Sequence, residues 1–344
     1  MAAATWNAFP DPAAMAGVWA SGRVLTGMGS GERKLKSVER VLVTGGAGFI
    51  GSHLVDLVVN SGAHVMVVDD FRLGRREHLD RVMPTGRVVL LDADIRSAED
   101  LKPVADFAPD TVFHLAALHF IPYCNAHPQE ALDVNVLGLE SVIRAVRSAP
   151  LAAFVFPSSG AIYGFGDERW PETAQPKPDE IYGISKWMGE QIVARLHADR
   201  PDVRTVVARL FNTYGPRETN PHVLPAIIAA MRAGRPIELG NLWPQRDLIF
   251  VTDTARAIMA TADGHGFDVF NVGTGTGTSI GDVLAIIESL RGEPLAVRED
   301  PERRRPGDGH LIADPGKLMT ATGWQPEYDL KAGLRELLAF EGLL

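Results

Sequence analysis

The chain has 344 residues, so it is long enough to bury a sizeable core and to carry a second lobe on a larger body. Hydrophobic residues make up 46% of it and charged residues 22%, which excludes a disordered chain, and no apolar run reaches the length that spans a membrane. The net charge of −9 gives no basic surface for nucleic acid, so we expect neither nucleic acid nor a membrane as a partner.

Residues 1–38 are rich in Ala and Gly and contain no periodic segment, so we expect a tail there. From Arg40 onward, short β-branched runs alternate with longer amphipathic segments, which is the pattern of consecutive β-α-β units. It predicts an α/β fold of Rossmann type with a doubly wound parallel sheet. The predicted strands are RVLVT, HVMVVDD, RVVLLDADI, TVFHLAA, LAAFVFPSS, VRTVVARLF and FDVFNVG, and helices are predicted up to residue 60 and at 128–148, 179–197, 224–233 and 279–290.

The alternation of predicted strands and helices ends after Asn212. Pro- and Gly-rich connections follow, with shorter helical segments between them. We expect a dinucleotide-binding body at residues 39–210, to which segments near 249–290 return, because FDVFNVG has the composition of another buried strand. A smaller C-terminal substrate-binding lobe is expected at residues 211–248 and 291–344.

A glycine-rich turn, Thr-Gly-Gly-Ala-Gly-Phe-Ile-Gly, follows the first predicted strand and opens a helix. In that context Gly45 permits the tight turn, Gly48 lets the backbone approach a pyrophosphate, and Gly51 allows close packing of helix on sheet. The phosphates would lie at the positive N-terminus of the helix, and a bare glycine turn is the alternative. The predicted cofactor contacts in this segment are Gly45, Gly48, Phe49, Ile50 and Gly51.

Carboxylates at the ends of the next two strands predict which dinucleotide binds. Asp69, with Asp70 beside it, stands where a carboxylate accepts bonds from the adenosine ribose hydroxyls and repels a 2′-phosphate, which favours NAD over NADP. Asp94 is predicted to bond the adenine amine and Ile95 to pack on the adenine ring, with a simple strand-end turn as the alternative.

The segment Tyr-Gly-Ile-Ser-Lys places Tyr182 and Lys186 four residues apart, on one face of a predicted helix. A phenol titrates near pH ~10 in its free state, and an adjacent ammonium together with the positive nicotinamide should lower its pKa so that Tyr182 removes a hydroxyl proton as hydride leaves. Ser159, at the end of a predicted strand, is placed to bond the same substrate oxygen. Ser159, Tyr182 and Lys186 are therefore the predicted catalytic residues.

From about Arg40 to its end, the chain resembles the extended short-chain dehydrogenase/reductases, the NAD-dependent sugar epimerase/dehydratase family. That resemblance implies a tightly held NAD that is reduced and reoxidised within one catalytic cycle, and a nucleotide-diphosphate sugar as substrate. It rests on TGGAGFIG, HLAA, DVNVLG, SSGAIYG, YGISK, ARLFNTYGPR, QRDLIFVTD, NVGTG and RRRPGD.

The resemblance also implies further contacts. Leu224 is expected beside the nucleotide base, and two arginines suit a diphosphate because each offers bidentate, charge-assisted bonds. Implied cofactor contacts, with Tyr182 and Lys186, are Leu115, Ala116, Ala117, Asn135 and Phe211. Expected substrate contacts are His119, Ser159, Asn212, Leu224, Arg246, Arg305 and Asp308.

The residues after Ser159 bear on the reaction. Relatives similar to 4,6-dehydratases have an Asp-Glu pair at the two positions after the hydroxyl residue, and glucuronate-decarboxylating relatives have Glu at the second; here Gly160 and Ala161 stand there. Epimerisation at C4 needs no second acid or base, because a transient 4-ketone only rotates and accepts hydride on its other face. The leading prediction is therefore 4-epimerisation, with a UDP-hexose or UDP-hexuronate preferred as substrate.

Some alternatives stay open. His119 is either a proton carrier at C3 or C5, which would favour a dehydratase or decarboxylase, or a satisfied polar residue that lines the site. Tyr123 and Cys124 are possible substitutes for the missing acids, and a non-catalytic NAD-binding protein is a remote alternative. No histidine spacing predicts a metal site.

Two further expectations concern the protein's setting. The single cysteine, Cys124, excludes an internal disulfide and fits a reducing cytoplasm. A homodimer that pairs the helices at 128–148 and 179–197 is implied by the resemblance alone.

Overall fold

A computed structural model describes residues 39–166, 168–301 and 309–344 of the chain. The predicted tail at 1–38 lies outside these residues. The described strands are β1 (Arg40–Thr44), β2 (His64–Asp69), β3 (Val88–Asp92), β4 (Thr111–His114), β5 (Ala153–Ser159), β6 (Arg169–Trp170), β7 (Arg204–Leu210), β8 (Asn212–Tyr214), β9 (Ile237–Leu239), β10 (Gln245–Phe250), β11 (Phe267–Val272), β12 (Gly277–Ser279), β13 (Val297–Glu299) and β14 (Ile312–Ala313).

Seven of these strands form one parallel sheet in the order β11-β7-β5-β4-β1-β2-β3. The order reverses direction between β1 and β4, which is the switch point where doubly wound folds bind their ligands, at the carboxyl ends of the strands. All seven predicted strands form, and the predicted Rossmann-type fold is confirmed.

The described helices are α1 (Phe49–Asn60), α2 (Lys102–Phe107), α3 (Ile121–Ala126), α4 (Pro128–Leu132), α5 (Gly138–Ala145), α6 (Ile181–Asp199), α7 (Val223–Arg232), α8 (Val251–Thr261), α9 (Ile280–Arg291), α10 (Gly316–Thr322) and α11 (Leu330–Phe340), and short 3-10 turns stand at Arg76–Leu79, Met83–Thr85 and Gly160–Ile162. None of these helices is long and apolar enough to span a membrane.

The sheet is covered on both faces because its strands bury alternate side chains in opposite directions. Within β1, Val41 and Val43 belong to one apolar cluster with residues of α1, α8 and α10. Leu42, between them, belongs to a second cluster with residues of α2, α5 and α6. The two helical layers therefore hold the carboxyl ends of the strands in fixed positions.

A third apolar cluster consists of residues that follow Asn212 in the chain. It joins Leu224 of α7 and Leu248 of β10 with residues of β9, α9 and α11. The segment 249–290 contributes to both: α8 packs on the large sheet and β11 is an edge strand of it, whereas Ile280 and Val283 of α9 lie in the third cluster. Conversely, Leu318 of α10 packs on the large sheet.

The helix predicted at 128–148 is interrupted. A π-helical segment, Asp133–Leu137, separates α4 from α5. Inside it the buried Asn135 side chain accepts a bond from Leu118 N at 2.7 Å and donates to Leu118 O at 2.8 Å and to Ser185 Oγ at 2.9 Å. Asn135 thus ties the chain after β4 to α6, and such π-bulges are frequent at functional sites.

Candidate active site

A cleft of about 930 Å³ lies at the carboxyl ends of β1, β2, β4, β5 and β7. It brings together almost every described residue that the sequence predicted for the site. Those that line it are Gly45, Gly48, Phe49, Ile50, Gly51, Asp69, Asp70, Asp94, Ile95, Leu115, Ala116, Ala117, His119, Ser159, Tyr182, Lys186, Phe211, Asn212, Leu224 and Arg246. Asn135 lies behind the wall, and Arg305 and Asp308 lie outside the described residues.

The glycine turn at the start of α1 is packed so closely that side chains are excluded. A Cβ on Gly51 would lie 2.1 Å from Gly45 O, and one on Gly45, whose φ is +69°, would lie 2.7 Å from Ala116 N. A Cβ on Gly48 would lie 3.1 Å from the same Gly45 carbonyl oxygen. The turn is therefore a backbone cradle of the kind that accepts a pyrophosphate at a helix N-terminus.

The two strand-end carboxylates differ in their surroundings. Asp69 is buried and accepts hydrogen bonds from Ala47 N at 2.9 Å and Phe71 N at 3.0 Å; burial raises the pKa of its carboxyl group. Asp94 is partly exposed, and its hydrogen bonds with the Arg96 side chain lower its pKa. Asp69 thus braces the glycine turn through Ala47, in addition to its predicted role toward ribose.

Ser159, Tyr182 and Lys186 meet where β5 and α6 approach each other. Tyr182 forms a hydrogen bond with Ser159, and Ser159 Oγ also accepts from Ala161 N at 3.2 Å. Lys186 Nζ donates to Pro157 O at 2.7 Å and lies 6.0 Å from the centre of the Tyr182 ring. The lysine is therefore anchored to β5, one turn of helix away from the phenol.

The pKa of Tyr182 is raised in the chain by itself, whereas the sequence predicts a lowered pKa. Burial raises the pKa of Tyr182 to about 12, although the bond with Ser159 opposes that rise. Burial also lowers the pKa of Lys186 to about 8. The predicted lowering includes the charge of a bound nicotinamide and stays a prediction; in the chain by itself burial dominates, because spacing reveals the neighbouring ammonium but not the cost of burying a phenolate.

His119 lines the cleft with both sides of its ring occupied. Its Nε2 lies 2.8 Å from the Asn220 side-chain amide nitrogen, which donates to it, and the ring also bonds the backbone of Ala117. Burial lowers the pKa of His119 to about 4. These contacts describe a neutral, hydrogen-bonded lining residue, which is the second of the two interpretations left open by the sequence.

Tyr123 and Cys124 do not line the cleft. Tyr123 is exposed and donates to Glu130 Oε2 at 2.7 Å. Cys124 is fully buried, its Sγ lies 3.5 Å from Leu118 O, and burial raises the pKa of its thiol to about 11. Neither side chain is placed to replace a missing acid.

A carboxylate–imidazole pair that the sequence did not predict lines the same cleft. Glu218 is buried, and its Oε1 lies 2.5 Å from His222 Nδ1, whose ring is more exposed and lies 5.8 Å from that of His119. Burial raises the pKa of Glu218. No local pattern marks the pair, because it stands in the irregular chain between β8 and α7.

The other predicted substrate contacts have distinct settings. Arg246 donates to Gly309 O at 2.9 Å and stacks 4.5 Å above the centre of the Phe165 ring. Leu224 is buried in the third apolar cluster, whereas Asn212 is exposed at the start of β8. In the described part of the chain, no group of three His, Cys, Asp or Glu side chains is arranged to hold a metal ion.

The sequence of the chain matches one protein family and is similar to known enzymes of that family. The model of the NAD dependent epimerase/dehydratase family matches residues 41–273. A UDP-glucose 4-epimerase of Rhizobium leguminosarum is 33% identical over 321 residues, which cover 86% of this chain and 95% of that protein.

Solved structures agree with the sequence match. The UDP-glucose 4-epimerase of Thermus thermophilus, crystallised with NAD, aligns with a TM-score of 0.80 and 33% identity over 89% of this chain and 100% of that one. The UDP-glucuronic acid 4-epimerase of Bacillus cereus, in complex with UDP-glucuronic acid and NAD, aligns with a TM-score of 0.81 and 26% identity over 88% and 99%.

Proposed function

Because the chain belongs to the NAD-dependent epimerase/dehydratase family, we propose that it is an NAD-dependent epimerase that inverts C4 of a UDP-sugar through a transient 4-keto intermediate. The observation that carries this proposal is the complete set of Ser159, Tyr182 and Lys186 in a cleft where Gly160 and Ala161 follow the serine. These three residues can oxidise a hydroxyl group, and no added carboxylate is present to act at another carbon. They therefore suit a reaction in which both oxidation and reduction occur at C4.

The packing of the residues that line the cleft leaves room for NAD. The cradle formed by Gly45, Gly48 and Gly51 is open only because these residues lack Cβ atoms, and Asp69 stands at the next strand end. The chemistry that NAD supplies when bound is the acceptance and return of a hydride. We assign the adenosine side to Asp69, Asp94 and Ile95, and the nicotinamide side to Tyr182 and Lys186.

The protein's own residues handle the proton. Tyr182 takes the proton of the C4 hydroxyl as the C–H bond at C4 breaks, and returns it when the ketone is reduced on its other face. Ser159 donates to the same oxygen and so fixes its position. Lys186 supplies positive charge near the phenolate, which offsets the cost of burying it.

UDP-hexoses and UDP-hexuronates are the proposed substrates, in keeping with the sugars of the two solved relatives. We assign Leu224 to the nucleotide base, Asn212 and His119 to the sugar, and Arg246 with Arg305 and Asp308 to the diphosphate and its ribose. The division into an NAD-binding body and a substrate-binding lobe belongs to the same proposal.

A homodimer is also proposed. The helices expected at the interface expose large apolar side chains: Leu137 is 58% exposed, and Trp187 and Met188 of α6 are about 40% exposed. Apolar groups of this size on adjacent helices are typical of an interface between subunits. A cytoplasmic location stays a prediction.

Proton NMR of the purified protein with UDP-glucose, UDP-galactose, UDP-glucuronate and the N-acetyl sugars tests the proposal, with Tyr182→Phe as the matched control. We expect the H4 coupling pattern of one sugar pair to interconvert at unchanged mass, and the control to leave it unchanged. Loss of water or carbon dioxide would instead identify a dehydratase or a decarboxylase.

A further inference from the structure

A buried ion pair lies directly behind the catalytic residues and does not line the cleft. Glu190 of α6 and Arg209 of β7 are only 5% and 6% exposed, and they meet through two bonds, Nε to Oε1 at 3.0 Å and the terminal nitrogen to Oε2 at 2.8 Å. The free energy needed to remove both charges from water offsets most of the free energy of their attraction. Such a pair therefore adds little to stability, and stability alone does not explain its presence. Its position suggests another role.

The Glu190 carboxylate connects three elements. It stands one helical turn after Lys186, so both side chains leave the same face of α6. Its Oε1 accepts a bond from Ser158 Oγ of β5 at 2.6 Å, in addition to the bond from Arg209 of β7. Glu190 therefore fastens the helix that carries the tyrosine and lysine to the strand that carries the serine.

The last three residues of β5 each have one partner in this arrangement. Pro157 O accepts from Lys186 Nζ at 2.7 Å, Ser158 Oγ donates to Glu190, and Ser159 bonds Tyr182. A shift of β5 along α6 would break all three contacts together. In the middle contact Ser158 lines the cleft, whereas Glu190 does not.

Arg209 is held on its far side as well. Its other terminal nitrogen, Nη1, donates to Tyr163 Oη at 2.7 Å and to Glu172 O at 3.0 Å, and Tyr163 in turn donates to Asn271 Oδ1 at 2.8 Å. The arginine is thus fixed before it meets Glu190. The carboxylate cannot turn away from Lys186 without leaving a buried guanidinium unpaired, which is strongly unfavourable.

We propose that Glu190, fixed by Arg209, is a positioning residue for the Ser159, Tyr182 and Lys186 set, holding β5 against α6 and keeping negative charge behind the lysine. This inference rests on the proposed 4-epimerase function. Neither Glu190 nor Arg209 needs to touch substrate or cofactor for it to hold.

The charge of Glu190 opposes the effect of burial on the lysine. Burial lowers the pKa of Lys186 to about 8, and the nearby Glu190 carboxylate raises it. Without that carboxylate, more of the lysine would be neutral near pH 7, and a neutral amine does not stabilise the Tyr182 phenolate. The other titratable groups around Lys186 are Tyr182 on its own helix, Cys124 of α3, His114 of β4 and His119 after β4.

The test compares Glu190→Gln with Asp268→Asn. Asp268, which is 34% exposed, pairs at 2.7 Å with Arg204, a buried arginine at the opposite end of the same strand β7, and at 3.0 Å with Lys317, so it is an ion pair remote from the cleft. For Glu190→Gln we expect kcat near pH 7 to fall about tenfold, the scale of one charge-assisted hydrogen bond, with KM nearly unchanged. Asp268→Asn should retain the kcat of the original protein.

The pH profile separates positioning from a structural role. In Glu190→Gln the basic limb of kcat should move to lower pH, because Lys186 loses its proton earlier, and the acidic limb to higher pH, because the phenolate is less stabilised. A folded Glu190→Gln variant with the original kcat and the original profile would overturn the proposal.

If Glu190→Gln does not fold, Ser158→Ala replaces it, because it removes one contact and leaves the ion pair intact. We expect a loss of kcat of about fivefold, as for one hydrogen bond, and an unchanged kcat would overturn the proposal. If the original protein turns over no nucleotide sugar, the proposed function fails separately. The positioning role is then measured by the phenolate absorbance of Tyr182 in NAD-loaded protein: its midpoint should rise in either variant, and an unmoved midpoint overturns the role.

Discussion

The proposed cofactor half of the cleft and its proposed sugar half differ in the groups that form them: backbone in the first and side chains in the second. The cofactor half consists mainly of backbone: the glycines of the turn after β1 touch one another's carbonyl groups, and Ala47 N bonds Asp69. The sugar half consists of side chains that bond each other across the chain, as His119 bonds Asn220 and Glu218 bonds His222. A backbone cradle tolerates little change, whereas a side-chain lining can vary from one relative to another without loss of the fold.

Tyr182 stands where the two halves meet, so its loss should have the largest effect. Tyr182→Phe keeps the ring and removes the hydroxyl that carries the proton. We expect kcat to fall about 10³-fold, within the range for loss of a general acid–base group, while bound NAD is retained. Turnover is followed by NMR and NAD by its release on denaturation; a variant within a few-fold of the original kcat would contradict the assignment.

The rigidity of the cofactor half is tested by Gly51→Ala. The new Cβ would lie 2.1 Å from Gly45 O, a backbone atom that cannot move without opening the turn. We expect the variant to be purified with little or no NAD. Gly281→Ala, in the first turn of α9 where the nearest atom lies 3.6 Å away, is the control and should retain NAD fully. Equal NAD content in both variants would refute the cradle.

Two histidines with lowered pKa values, one on α1 and one in the cleft lining, make stability depend on pH. Burial lowers the pKa to about 4 in His53 of α1 and in His119. Below the unfolded value near 6.5 the unfolded chain therefore binds more protons than the folded one, and stability falls as the pH drops from about 6.5 toward 4.

Urea unfolding between pH 7 and 4.5 measures this loss. The shift of His53 corresponds to a limit of about 3 kcal/mol once the pH is below both values. His53→Gln, which cannot gain a proton, should flatten the pH dependence of the free energy of unfolding. An equally steep dependence in His53→Gln would show that other groups cause it.

The sugar half should respond least to loss of His119. Because the imidazole is neutral and bonded on both sides, His119→Gln removes packing and a hydrogen bond but no proton carrier. We expect kcat to change by less than about fivefold, the scale of one hydrogen bond. A loss of a hundredfold or more would instead make His119 an acid–base group and favour a dehydratase or decarboxylase.

The same contrast explains what could be predicted from the sequence. The seven strands, the glycine turn and the four-residue spacing of Tyr182 and Lys186 are local patterns, and local patterns fix local geometry. Three features were not predicted: the Glu218–His222 pair, which is close in sequence but lies in an irregular segment; the long-range contacts of Glu190 with Ser158 and Arg209; and the π-helical segment that turns Asn135 inward. The rise of the Tyr182 pKa was missed for the same reason, since burial depends on the whole fold.

The central claim is that the hydrogen removed from C4 returns to C4. A UDP-sugar with deuterium at C4 is incubated with the protein in ordinary water, and the product is examined by NMR. The account predicts an inverted C4 that still carries the deuterium, with no exchange at C3 or C5. Loss of the label to solvent, or exchange at C3 or C5 during turnover, would contradict it and direct attention to Glu218 and His222.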